Sequence, residues 1–348
     1  MAIVPNNDAR IRKIAVDVPA VGSLMQNFTD QRGKQRYPCA LLIRKDAPGS
    51  IKSLDAIVSF RNIFALSCLL YAWPRTVGTP NVFFPLWSDF FDFHPTSLTR
   101  DPKFLHIFSS ATDGACLPQD FRGQVSPNLP NANHFRFQPD DEVRAPLLEV
   151  WKRAFTGADP LDWKTLVQFR SLEMAYQATS VPTNSRSTIY DFGSRIALWI
   201  GAFEVLVHPG GEKGRAGLKK VIDLLQEASW HDPRLKKPEH EIEIRGKGVH
   251  VNLVQKLYDE LYNARNAFMH GNPVSRSRLF CFCNENRPSL IEIAPLIYKV
   301  ALSCFHGQSY NTKPRRGEAP NLKDVFDRHR LEKVLLSTLE NRGRGVTH

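Results

Sequence analysis

The chain has 348 residues, of which 42% are hydrophobic and 23% are charged. This balance is typical of a globular protein and argues against a disordered one. No stretch approaches the roughly 18 uninterrupted apolar residues of a membrane span, and the first residues lack the basic start and apolar core of a secretory signal. The formal charge of +11 is compatible with nucleic acid as a partner, but an ordinary solvated basic surface would give the same value. We expect a cytoplasmic protein that does not associate with membranes.

The cysteines are scattered along the chain, and several lie in apolar surroundings. Buried free thiols in a reducing compartment are therefore expected. Cys281 and Cys283 form a C-x-C pair, but no second pair of ligands follows nearby. We expect neither a metal nor another cofactor. The six cysteines are Cys39, Cys68, Cys116, Cys281, Cys283 and Cys304.

The first part of the chain, residues 1–142, predicts a mixed or irregular α+β region. The segment Tyr37–Lys45 is short and apolar, which favours a strand. The segment Ser53–Trp73 predicts a helix with Ser53 as its N-cap. The aromatic-rich segment Asn81–Leu98 indicates a core or a domain interface, and Ser126–Glu142 predicts a loop close to a domain boundary.

Residues 143–310 predict a bundle of helices, and residues 311–348 predict a last helix and a polar tail. Overall we expect a mainly α protein. Thr188 and Asp191 form a capping-box pattern at the start of the most apolar helix, and the segment Trp230–Gly248 predicts a charged loop. Helices are expected at residues 142–157, 160–180, 187–207, 216–228, 249–270, 289–307 and 321–340.

The helix at 249–270 carries polar side chains close to its end. Gly271, followed by Asn and Pro, is a strong helix-stop signal, so His270 belongs to the last turn. Asn266 lies four residues before His270 and shares its face. Arg265 lies five residues before His270, which places the two roughly 140° apart. They meet only if the helix end distorts, if the long arginine wraps round, or if a second chain contributes its own copy.

Two interpretations of these residues remain open. In the first, His270 simply interacts with the negative end of the helix dipole, and Arg265 pairs with Glu260 or Asp259. In the second, Arg265 and His270 perform chemistry. A histidine changes its protonation near neutral pH, and an arginine offers a planar fork of donors to phosphate oxygens.

The segment "LYNARNAFMHG" resembles the signature of the HEPN superfamily, in which an arginine, a polar residue that is often asparagine, and three residues of any type precede a histidine. In this chain the signature runs from Arg265 to His270. The following Gly271, the preceding Tyr262 and the earlier helix "IALWIGAFEVLV" are similar to the Apea-like branch. The resemblance extends over about Asp162 to His306.

The resemblance implies an all-α domain that commonly forms a homodimer. In many members this domain is a metal-independent endoribonuclease, and some members act in antiviral defence or as toxins. Arg265 and His270 would line a cleft that often forms between protomers. His270 would act as acid or base, Arg265 would stabilise the phosphate, and Asn266 would orient the imidazole or hold the RNA. Other members are non-catalytic modules that bind RNA or a protein. In a ribonuclease of this type, residues 1–142 would sense a phage-derived or cellular trigger or restrain the activity.

Two further residues are candidates for a supporting role. Glu204 interrupts an apolar helix, where a lone carboxylate is costly to bury. It either faces solvent or pairs with Arg265 and positions the guanidinium. Tyr262, like Tyr258, lies before the motif and is expected to pack. His208 is expected to be a helix-end residue, and the glycines that follow it lack the G-K-S/T ending of a phosphate-binding loop.

Overall fold

The protein is described by a computed structural model. It is mainly helical, as the sequence predicts. Most of the aromatic-rich segment and most of the loop before residue 142 lie outside the described residues. The described residues are 1–4, 9–26, 40–77, 96–98, 105–108, 113–116, 139–157, 161–180, 188–211, 214, 216–307 and 322–340.

The chain separates into two compact units that alternate along the sequence. The first contains Met1–Ala65, Leu86–Phe137 and Trp151–Ala158. The second contains Leu66–Pro85, Gln138–Val150 and Asp159–His348.

In its described residues, the N-terminal part of the chain contains short strands and three helices. Strand β2 lies inside the predicted strand Tyr37–Lys45 and pairs antiparallel with β1, with Ile3 opposite Leu41. At the start of α3, the Ser53 hydroxyl accepts the Ala56 N–H at 3.3 Å, which confirms the predicted cap. The elements are β1 (Ala2–Val4), α1 (Ala9–Asp17), α2 (Pro19–Met25), β2 (Ala40–Leu42), α3 (Leu54–Ala72) and an antiparallel sheet of β3 (Thr96–Leu98), β4 (Leu105–Phe108) and β5 (Asp113–Cys116).

One helical segment of the described residues, Leu54–Arg75, is long and apolar enough to cross a bilayer, contrary to the sequence expectation. Of its most apolar window, 72% is buried inside the protein. A core helix has the same length and composition, so the segment is weak evidence for a membrane span.

The second unit holds most of the predicted bundle. The capping box of Thr188 and Asp191 is present at the start of α6, with the Thr188 N–H donating to Asp191 Oδ2 at 2.6 Å. The described helices from residue 141 onwards are α4 (Asp141–Thr156), α5 (Trp163–Ser180), α6 (Ile189–Leu206), α7 (Leu218–Gln226), α8 (Leu253–Met269), α9 (Leu290–Phe305) and α10 (Leu322–Leu336). Helix α4 begins in this unit, and its residues from Trp151 onwards belong to the first unit.

The segment Trp230–Gly248 is not the plain loop that its charge predicts. It contains strand β6 (His240–Ile244), which pairs antiparallel with β7 (Lys247–Val251). Arg245 and Gly246 turn the chain with φ of 54° and 76°, the left-handed geometry of a tight hairpin. The prediction of a helix from residue 249 is therefore wrong over its first residues, because Val249–Val251 complete this hairpin.

Helices α6 and α8 run antiparallel; α6 carries Glu204, and α8 carries Arg265 and ends just before His270. Near one end, the rings of Phe203 and Tyr258 lie 5.0 Å apart in an edge-to-face contact. At the other end, Gly193 faces Phe268, and a Cβ atom at Gly193 would lie 2.5 Å from the Phe268 ring. Glycine is therefore what allows the last turn of α8 to approach α6.

Candidate functional site

The motif helix ends where the sequence predicts. Gly271 has a φ of 69°, and its N–H donates to Phe268 O at 3.3 Å, while the Asn272 N–H donates to Ala267 O at 3.0 Å. This pair of bonds is a Schellman motif, which satisfies carbonyls that the helix end would leave free. His270 is the C-cap residue, so the helix end fixes its backbone position.

The Arg265 guanidinium is turned towards the body of the bundle. Its Nη2 donates to Glu204 Oε2 at 2.8 Å, and the side chains of Arg265 and Glu204 are 25% and 20% exposed. The guanidinium carbon lies 5.6 Å from the centre of the Tyr262 ring, one turn earlier in α8. The pairing expected between Glu204 and Arg265 is therefore present, and Tyr262 supports the same cation.

Asn266 does not orient the imidazole in this structure. Its Oδ1 accepts a hydrogen bond from Arg265 Nη1 at 3.0 Å, so it adds to the arginine's restraint. The other expected partners of Arg265 are engaged elsewhere. Asp259 pairs with Lys256 at 3.3 Å, and Glu260 accepts the Phe282 N–H at 2.7 Å.

His270 is exposed and, within the described part of the chain, has no side-chain hydrogen bond or ion pair. It makes no hydrogen bond with Arg265, whose guanidinium binds Glu204 and lies 5.6 Å from the centre of the Tyr262 ring. The neighbouring Met269 is 66% exposed, and Tyr190, in the first turn of α6, is 74% exposed. One copy of the chain thus presents an exposed imidazole next to the exposed Met269, while Glu204 and Asn266 hold the guanidinium.

Sequence reasoning missed two arginines just beyond the motif. Arg276 and Arg278 lie on a short 3₁₀ turn, Arg276–Leu279, and both are exposed. Arg276 is 3.6 Å from Glu285. The alternation of Ser and Arg in "SRSR" carries the signal, since exposed cations beside a motif are suited to a phosphate backbone.

Burial raises the pKa of Glu204, and the nearby Arg265 lowers it by less. A carboxyl group with a raised folded-state pKa binds its proton more tightly in the folded protein than in the unfolded chain. Ionised Glu204 therefore reduces stability at neutral and higher pH, and this penalty disappears as the pH falls through its folded-state pKa.

We expect Glu204→Gln to have a higher melting temperature than the wild type at pH 8. The difference should shrink by pH 5, where wild-type Glu204 is more protonated. Thermal unfolding at both pH values measures this. Glu243→Gln, at an exposed hairpin position, is the control and should show no such trend. A Glu204→Gln protein that is less stable at pH 8 would mean that the ion pair outweighs the cost of burial.

Tyr258 lies beneath the Arg265 pair and is completely buried. Burial and the charge of Glu204 raise its pKa well above the usual value. Its hydroxyl is without a hydrogen-bond partner among the described residues. By contrast, the hydroxyl of the equally buried Tyr298 lies 2.6 Å from Ser171 Oγ.

These two tyrosines give a matched pair of substitutions. Tyr258→Phe should raise the free energy of unfolding by about 1 kcal/mol, because it removes an unsatisfied buried group. Tyr298→Phe should lower it by about 1 kcal/mol, because it removes a made hydrogen bond. Urea unfolding of the three proteins checks the signs. Equal losses for both variants would show that the Tyr258 hydroxyl has a partner in solution.

Among the described residues, no three His, Cys, Asp or Glu side chains come together in a way that could hold a metal ion. No cysteine whose side chain the structure describes forms a disulfide; Cys68, Cys281 and Cys304 are buried, and Cys283 is exposed. Comparison of the chain with protein-family models, with curated proteins and with solved structures finds no match.

Proposed function

We propose that the protein is a metal-independent endoribonuclease of HEPN type. The observation that carries the proposal is an exposed His270 at the helix end, with no side-chain partner among the described residues, on the same helix as an Arg265 that is held by Glu204 and Asn266. RNA contains its own nucleophile, the ribose 2′-OH. Cleavage then needs an acid–base group and a cation at the phosphate, and no metal.

The proposed reaction is an internal transfer. His270 takes the proton from the 2′-OH as the new bond from O2′ to phosphorus forms. The bond from phosphorus to O5′ breaks, and the leaving O5′ receives a proton from His270, which is protonated after accepting the 2′-OH proton. Arg265 stabilises the charge on the phosphate oxygens. The products are a 2′,3′-cyclic phosphate and a 5′-hydroxyl.

We further propose that each site is shared between two copies of the chain. Within one copy the Arg265 guanidinium is hydrogen-bonded to Glu204 and Asn266 and not to His270, and we infer that a facing copy brings its own His270 to that guanidinium. The exposed Met269 and Tyr190 beside the helix end support an interface there, since large exposed apolar side chains favour association. The exposed Arg276 and Arg278 provide cations for the flanking phosphates.

Incubation of the purified protein with a single-stranded RNA in EDTA tests the proposal. We expect cleavage, 5′-hydroxyl ends that accept phosphate from a kinase without prior phosphatase treatment, and no cleavage of a DNA of the same sequence. Cleavage that needs magnesium, or that leaves a 5′-phosphate, would contradict the mechanism.

A second candidate is a non-catalytic HEPN module that binds RNA or a protein partner. The engagement of Arg265 by both Glu204 and Asn266 favours it, because part of the guanidinium's donor capacity is already used. Under this alternative the same RNA is bound but stays intact in every condition of the assay.

A further inference from the structure

A cleft of about 390 Å³ lies at the ends of α5 and α6, in the second unit. Trp163, the first residue of α5, and Arg170, two turns later, form one side. Val205, His208 and Gly211 form the other side, in the last turn of α6 and the segment after it. The volume lies at the lower end of the roughly 300–1,000 Å³ of small-molecule sites.

The walls of this cleft are held in place by their own hydrogen bonds. Trp163 Nε1 donates to His208 O at 2.9 Å. The Gly210 N–H donates to His208 Nδ1 at 3.2 Å, and His208 Nε2 lies 2.8 Å from Gly214 O. Both ring nitrogens of His208 are therefore engaged by the loop backbone.

Gly210 fixes the approach of the loop to the indole. Its φ is 88°, a conformation that favours glycine, and a Cβ atom there would lie 3.0 Å from the Trp163 ring. The loop backbone therefore presses against one part of the indole while Trp163 still lines the cleft. The surface is formed before any ligand arrives, which lowers the entropic cost of binding.

Arg170 supplies the charge in this cleft. Its guanidinium carbon lies 5.9 Å from the centre of the Trp163 ring. The side chain is exposed, and in the part of the chain that the structure describes it has no hydrogen bond or ion pair. The cleft thus combines an aromatic ring, an apolar valine and a cation that lies over the ring and whose hydrogen-bond donors are not used by any described residue. Because His208 is fully engaged, the cleft contains no group placed for proton transfer and is suited to binding.

We propose that this cleft binds a nucleoside phosphate, with the base stacked on Trp163 and the phosphate held by Arg170. Every base has a π-face, and stacking on an aromatic side chain contributes about 1–3 kcal/mol. An arginine recognises the phosphate through charge-assisted hydrogen bonds. The same chemistry is present in a free nucleotide and in one nucleotide of an RNA strand. This site is separate from the motif and does not depend on cleavage.

Isothermal titration calorimetry with AMP, adenosine and inorganic phosphate tests the proposal. The titrations use the His270→Ala protein, so that the ribonuclease proposal has no effect on the result. We expect Arg170→Gln to weaken AMP binding about tenfold or more and to leave adenosine binding unchanged. Arg330→Gln, which changes an exposed arginine on α10, is the matched control and should change neither.

A second variant, Val205→Phe, fills the cleft and should weaken both AMP and adenosine. An RNA pentamer titrated into the same proteins identifies the source of the ligand. Tighter binding of AMP than of the pentamer indicates a free nucleotide, and tighter binding of the pentamer indicates a subsite for RNA. The proposal would be overturned if neither AMP nor the pentamer bound at millimolar concentration. It would also be overturned if Arg170→Gln left AMP binding unchanged.

Discussion

His270→Ala should lower the rate of RNA cleavage by about 10²–10⁴-fold, the usual contribution of a positioned acid–base group. The fold should be unaffected, because the side chain is exposed and unpartnered within the described residues, and such surface changes usually alter stability by less than about 0.5 kcal/mol. Initial rates in EDTA and thermal unfolding measure the two effects separately.

His250→Ala is the matched control for this substitution. His250 is an exposed histidine on β7, remote in sequence from the motif. It should leave both the rate and the melting temperature unchanged. If His270→Ala cleaved RNA as fast as the wild type, the imidazole would have no role and the non-catalytic interpretation would replace ours.

Gly193→Ala should lower the free energy of unfolding substantially. The new methyl group would lie 2.5–2.8 Å from three atoms of the Phe268 ring, inside the motif itself. Overpacking of this kind costs about 1–3 kcal/mol. The ring must move, and the last turn of α8 moves with it, so cleavage should fall as well. Urea unfolding and the cleavage assay measure both.

Gly201→Ala, on the same helix, is the control. Its Cβ would meet only Met174 Cε, at 2.5 Å, and the flexible end of a methionine can move aside. The second test is rescue. Phe268→Leu should be destabilising alone but should restore stability when combined with Gly193→Ala. Losses that simply add in the double variant would show that the two side chains do not share this space.

Local patterns predicted the helix ends well because caps depend on few residues. Ser53, Thr188 and Gly271 each act within one turn of their own position. The same kind of signal was present but overlooked at the start of α8. Asn252 and Gln255 form a capping box there, which would have placed the hairpin before the helix. The Arg245–Gly246 turn was missed because arginine is uncommon at a positive φ.

The site was only partly predictable for a physical reason. Spacing along a helix gives the face of each residue, so the 140° separation of Arg265 and His270 followed from the sequence. It does not give the rotamer. The Arg265 rotamer depends on its hydrogen bond to Glu204, which lies on a different helix, 61 residues away in the chain. The hydrogen bond between Arg265 and Asn266 forms with the guanidinium in that position. The Trp163 cleft depends likewise on the packing of α5 and α6.

The two-copy arrangement of the site is tested most directly by mixing two inactive proteins. Arg265→Ala and His270→Ala, unfolded together and refolded, should form heterodimers in which one of the two shared sites has an intact arginine and an intact histidine. Random pairing makes half of the dimers heterodimers, so about one quarter of the wild-type RNA cleavage should return. A mixture as inactive as each protein alone would contradict a site built from Arg265 of one copy and His270 of the other.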